Sequence, residues 1–128
     1  MVSAKNILAL TLMLIVAAAV HVSAQAVTDV KTLAGKWKGW GTGSSGSGFP
    51  IEVQINPDGT YTSMTETGRG TGTFKVAGGK ITTSGHLSGP NPTDTAAQVT
   101  LATKGGKQVL NGQGHSDRGP YSFELTKE

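Results

Sequence analysis

From Lys36 onward, apolar and polar residues alternate in short runs rich in Thr, Val, Ile and aromatic side chains. Clusters of Gly, Pro, Asn and Asp interrupt them roughly every eight to twelve residues, the spacing of all-β sandwiches and barrels. Eight runs are predicted as strands: Lys36 to Gly41, Pro50 to Asn56, Thr60 to Glu66, Thr71 to Val76, Lys80 to Ser84, Ala96 to Ala102, Lys107 to Gly112, and Pro120 to Thr126. Ile51, Val53 and Ile55 share one face against Glu52, Gln54 and Asn56, and Tyr121, Phe123 and Leu125 oppose Ser122, Glu124 and Thr126. With Trp37, Phe74, Val76, Ile81, Val99, Leu101 and Leu110, about a dozen side chains point inward, each contributing about 1.5–3 kcal/mol on full burial. A helical turn is expected only from Val27 to Leu33, with Thr28 as its cap.

The connections alternate in kind. Pro57-Asp58-Gly59, Ala77-Gly78-Gly79 and Thr103 to Gly106 are tight turns, so the runs they join are antiparallel neighbours. Between them fall Thr42 to Phe49, Thr67 to Gly70, Gly85 to Thr95, and Gln113 to Gly119. In an up-and-down meander this order collects the tight turns at one end and the long loops at the other. The predicted architecture is therefore all-β: an eight-stranded antiparallel up-and-down meander barrel with one closed end and one elaborated mouth.

Ahead of this domain, Met1 to Ala24 reads as a cleaved signal peptide. It has a short n-region ending in Lys5, an apolar run from Ile7 to Val20, and a small-residue exit at Val22-Ser23-Ala24. Residues 25–128 then form one domain, exported to the periplasm or secreted, with no stable membrane anchor in its mature form. All 19 glycines lie in this part, more than twice the average usage of about 7%, which excludes a helical bundle. Lys and Arg are spread singly and nearly balanced by Asp and Glu, so nucleic acid is not an expected partner. The absence of cysteine removes disulfides, thiolate metal ligands and a lipid-anchor acceptor. The fold must rest on hydrophobic burial and backbone pairing.

Five residues are candidates for a binding site. Trp40 is out of phase with Trp37 and shares its face with Lys36 and Lys38. Strict alternation puts it outside as an aromatic anchor, whereas a β-bulge near Gly39 would turn it inward. His86 and His115 fall in connections assigned to the mouth and, with Asp117, offer metal-type donors. Gly-rich loops lack the ordered scaffold of a metal site, so these three are read as solvated turn residues. Arg69 and Arg118, the only arginines, are assigned to the mouth too, as a fork for a carboxylate or phosphate or as charge on turn tips. No cofactor or metal is expected. Gly41 to Gly46 spells Gly-x-Gly-x-x-Gly but precedes a strand, which excludes a dinucleotide site, and Ser44, Ser45 and Ser47 have no base at a defined spacing.

Leu33-Ala34-Gly35-Lys36-Trp37 resembles the Gly-x-Trp motif that opens lipocalins. The mature chain as a whole resembles a small bacterial member of the lipocalin-like, or calycin, group. The resemblance implies that Trp37 plugs the closed end and that Lys127, where the family usually has arginine, covers it. The long helix and the disulfide of full-size lipocalins have no counterpart here. The chain is also similar to small exported inhibitors of bacterial metalloproteases, in which an N-terminal arm, here Gln25 to Asp29, enters the protease cleft. The expected function is non-catalytic binding of a small apolar or amphiphilic ligand at the mouth, through Trp40, Arg69, His86, His115 and Arg118. The alternative is a protein-interaction module, such as a small protease inhibitor or an envelope accessory protein, acting on an exported partner.

Overall fold

The computed structural model describes residues 22–43 and 45–128. Most of the expected signal peptide (1–21) and Ser44 lie outside the described residues. The strands are β1 (Val22–Gln25), β2 (Gly35–Thr42), β3 (Gly48–Ile55), β4 (Thr60–Thr65), β5 (Gly68–Ala77), β6 (Lys80–Ser88), β7 (Thr93–Lys104), β8 (Lys107–Ser116) and β9 (Gly119–Lys127). From β2 to β9 each strand pairs antiparallel with the next, and β9 returns to β2, so the eight strands form a closed up-and-down barrel. Closure leaves no edge among these eight, which suits a chain without disulfides.

The alternation read from the sequence holds along the strands. Trp37, Val53, Ile55, Phe74, Ile81, Val99, Leu101, Leu110 and Leu125 form one buried cluster, joined by Val27 and Leu33. All of it sits toward the tight-turn end. The Trp37 indole is 1% exposed and donates from Nε1 to the Leu33 carbonyl at 2.9 Å. Leu33 ends a one-turn 3-10 helix, Val30–Leu33, that caps this end of the barrel. Its N-cap is Asp29, whose carboxylate accepts from the Lys31 N–H at 2.9 Å, and not Thr28 as the sequence suggested. A carboxylate one residue nearer the helix serves the first free N–H groups better.

The Gly-x-Trp motif has a physical reading at this end. Lys127 lies over the Trp37 indole, its Nζ 5.6 Å from the ring centroid, in cation–π range. Gly35 has φ +136°, and a Cβ there would stand 3.1 Å from Lys127 Cε. Glycine thus provides both the backbone angle and the gap through which the lysine stem reaches the indole.

Three findings differ from the sequence reading. Several strands run further toward the mouth than predicted: β6 reaches Ser88, β8 reaches Ser116, and β5 starts at Gly68. Glycines taken as strand ends are instead strand residues. Second, Val22–Gln25 adds a ninth strand, pairing with the end of β7 from Gln25↔Leu101 to Val22↔Lys104, beyond the last β6–β7 pair at Ile81↔Val99. Third, the segment that the inhibitor resemblance makes an arm is engaged: Gln25 is paired, Val27 is 2% exposed in the core, and Asp29 caps.

Candidate functional site

Above the packed half the barrel is hollow. A cavity of about 400 Å³ opens at the loop end, within the range of small-molecule pockets. Its floor is Phe74, Val53 and Leu125, its lower wall Ile51 and Phe123, and its upper wall a set of hydroxyls that includes Ser63, Thr65, Thr83, Thr93 and Thr95. Tyr61 and Tyr121 stand between the two zones.

Inward-facing glycines make the space. Tyr61 pairs across the sheet with Gly72, and Gly72 with Gly85; a Cβ on Gly72 would lie 2.7 Å from Tyr61 Cε1, and one on Gly85 2.1 Å from its hydroxyl. The phenol therefore lies flat along the wall. Phe123 does the same over its partner Gly112, where a Cβ would come within 2.1 Å of the ring. Phe49 and Ile51 lie over Gly41, at 2.7 and 2.6 Å from a Cβ there. Tyr61 also packs edge-on against Phe74 (centroids 5.2 Å apart) and Tyr121 stacks on Phe123 (6.3 Å).

The phenols share the cavity wall with hydroxyls: Thr95 lies near both Tyr61 and Tyr121, and Thr83 near Tyr121. Burial pushes both phenols above their usual pKa, most strongly opposing the anionic form, and Tyr121 is raised further by the neighbouring Tyr61. Both are neutral across the physiological range.

The five sequence-predicted site residues divide. Arg118 borders the cavity at its rim, and His86 borders it from β6 with its imidazole on the outer row. Arg118, in the β8–β9 turn, donates from Nη2 to the Asn91 carbonyl of the β6–β7 loop. The β8–β9 turn is held again at the start of β7, where the Asp117 N–H donates to Thr93 Oγ1 at 3.1 Å. His86 Nδ1 is 2.8 Å from Asp94 Oδ1, its cross-strand partner, with both side chains exposed. The other three do not reach the cavity. Trp40 is 62% exposed on the outer face, its ladder to β3 and β9 unbroken, so no bulge turns it inward. Arg69 and His115 are strand residues on exposed outer rows, not mouth-loop residues, because β5 and β8 extend past the glycines that seemed to end them. His86 is likewise within β6.

His86, His115 and Asp117 do not converge, and among the described residues no three His, Cys, Asp or Glu side chains are grouped to hold a metal ion. The sequence reading overlooked Tyr61, Thr83 and Thr95 as site residues and took Tyr121 for core. The signal was present: Gly39 and Gly41, Gly70 and Gly72, and Gly112 and Gly114 recur at a spacing of two, in phase with inward apolar residues of the same strands. Comparison with known proteins found no match to a family model, to a curated protein or to a solved structure.

Proposed function

We propose that this is an exported, non-catalytic binding protein of the lipocalin-like group that takes a small apolar or amphiphilic ligand into the open half of its barrel. The observation that carries the reading is the cavity of about 400 Å³ with an apolar floor and a hydroxyl-rich upper wall. Lining of this kind suits holding an amphiphile, with apolar burial driving binding and a few polar groups setting orientation. Arg118 at the rim is placed to meet a polar end that remains near solvent. The lipocalin-like assignment is supported by the eight-stranded meander and by Gly35, Trp37 and Lys127 acting together at the closed end. Export is supported by the composition of residues 1–24.

Native mass spectrometry of the chain purified from the exported fraction without refolding tests the reading. A reproducible added mass that is lost on denaturation is expected. A bare mass, together with no fluorescence gain from the neutral probe N-phenyl-1-naphthylamine, overturns it. A protein-interaction role has one specific observation in its favour, the exposed Trp40 on the outer face. Under that reading Trp40→Ala abolishes capture of an exported partner and leaves the probe unaffected.

A further inference from the structure

We propose that Tyr121 and Phe123 form a flat aromatic plate on the cavity wall, and that the cavity takes a neutral ligand whose planar conjugated ring system stacks on it, in preference to a saturated ring of the same size. This rests on the cavity being the binding site and adds the shape and electronic class of what it takes.

β9 turns both side chains to the cavity, two residues apart. β8 sets a glycine opposite each: Gly112 pairs with Phe123 and Gly114 with Tyr121. On its other side Phe123 pairs with a third glycine, Gly41 of β2. A ring between such partners can fold down against the backbone. Phe123 does so face-on. A Cβ on Gly112 would stand 2.1, 2.2 and 2.7 Å from its Cζ, Cε1 and Cε2, and only a point off the ring plane satisfies all three distances. One face therefore covers the glycine, and the other is turned to the lumen.

Tyr121 continues this surface, its plane 21° from that of Phe123 and its centroid 6.3 Å away. That separation is close to the two-residue step of a strand, so the rings lie side by side and not one over the other. The plate is two rings long. In a ring of eight strands β4 and β5 stand opposite β8 and β9, and there Ser63 and Gly70 line the cavity and project little into it. The space in front of the plate stays open.

Aromatic rings gain most from offset, near-parallel contact between faces. A flat conjugated ligand lies against the plate along its length and adds this interaction to its burial. A puckered saturated ring meets the same faces only through a few hydrogens. The negative faces attract an organic cation as well. Among the described residues, however, no carboxylate lines the cavity, and Arg118 at its rim is positive. The walls thus fit a neutral ring.

The test compares 2-naphthol with decahydro-2-naphthol, two neutral alcohols on one fused carbon frame, the first flat and conjugated, the second puckered and saturated. Each is titrated calorimetrically at neutral pH into the chain purified from the exported fraction. 2-Naphthol is expected to bind about two- to tenfold more tightly, the worth of one stacked aromatic contact, with its proton resonances moved upfield by the two ring faces. In Tyr121→Leu/Phe123→Leu this advantage disappears while decahydro-2-naphthol still binds, which shows that the cavity is intact. The upfield shifts are read on the unaltered chain and decide the question even where that variant does not fold. Equal or tighter binding of decahydro-2-naphthol overturns the proposal. So does bound 2-naphthol without upfield shifts, or a preference that survives the double Leu variant. Tighter binding of benzyltrimethylammonium than of 2-naphthol overturns it too and assigns the faces to a cation. Binding of none of these probes overturns the cavity reading on which the proposal rests.

Discussion

The two halves of this barrel are built from the same strands with the same alternation, yet one is solid and the other hollow. Four strands exchange large inward residues for glycine as they rise toward the mouth. β2 goes from Trp37 to Gly39 and Gly41, β5 from Val76 and Phe74 to Gly72 and Gly70, β6 from Ile81 to Gly85, and β8 from Leu110 to Gly112 and Gly114. Their neighbours keep large side chains at the same height, and these lie over the glycines: Phe123 on Gly112, Tyr61 on Gly72 and Gly85, Phe49 and Ile51 on Gly41. An eight-stranded barrel is narrow enough for side chains to fill it. Here the rings are pressed to the wall and the centre is left open. Hollowness comes from where the glycines stand, not from a shortage of apolar residues.

That contrast can be broken from either side. Trp37→Ala removes the largest side chain of the solid half, where the indole is 1% exposed, and should cost about 3–5 kcal/mol in urea unfolding. Gly112→Ala carries the rule of the solid half into the hollow one. Its Cβ would meet the Phe123 ring at 2.1 Å, so the ring must leave the wall and enter the cavity. The expected cost to stability is about 1–3 kcal/mol, accompanied by loss of N-phenyl-1-naphthylamine binding that Trp37→Ala, at temperatures where it stays folded, does not share.

The smallest effect is a pH dependence peculiar to the hollow half. Tyr61 and Tyr121 have pKa values raised by burial, so their contribution is fully present below the unfolded phenol value of about 10. As pH rises past that value the unfolded chain loses these protons first, and stability falls until the folded phenols also ionise. Urea midpoints measured between pH 8 and 11 should decline, and Tyr61→Phe/Tyr121→Phe should flatten the decline. An unchanged slope in that variant would remove the two phenols as its source.

Much of the solid half was legible in the sequence. Period-two runs gave its strands, and the order of tight and long connections predicted which end is closed. Trp37 and Lys127 meet as the lipocalin resemblance implied, and strict alternation put Trp40 outside. The hollow half was misread because glycine between polar residues has the composition of a loop. The β8 run therefore seemed to end at Gly112 and the β6 run just before Gly85, and His86, His115 and Arg69 were assigned to mouth connections although they stand in ladders. Thr83, Thr95 and Ser63 were passed over because polar residues in alternating strands are usually outward. They face inward here because the cavity between them, unlike a packed core, accepts hydroxyls.

The seam between β2 and β9 pairs Trp37 with Lys127, and the Glu128 N–H then donates to the Lys36 carbonyl at 2.9 Å. Those partners are about ninety positions apart, the most distant kind of contact such a chain can make. The ring is thus clasped by the final nine-residue strand, and until that strand has been synthesised the rest can curl but cannot shut. Both β8 and β2 wait with open edges, a state prone to pairing with other chains.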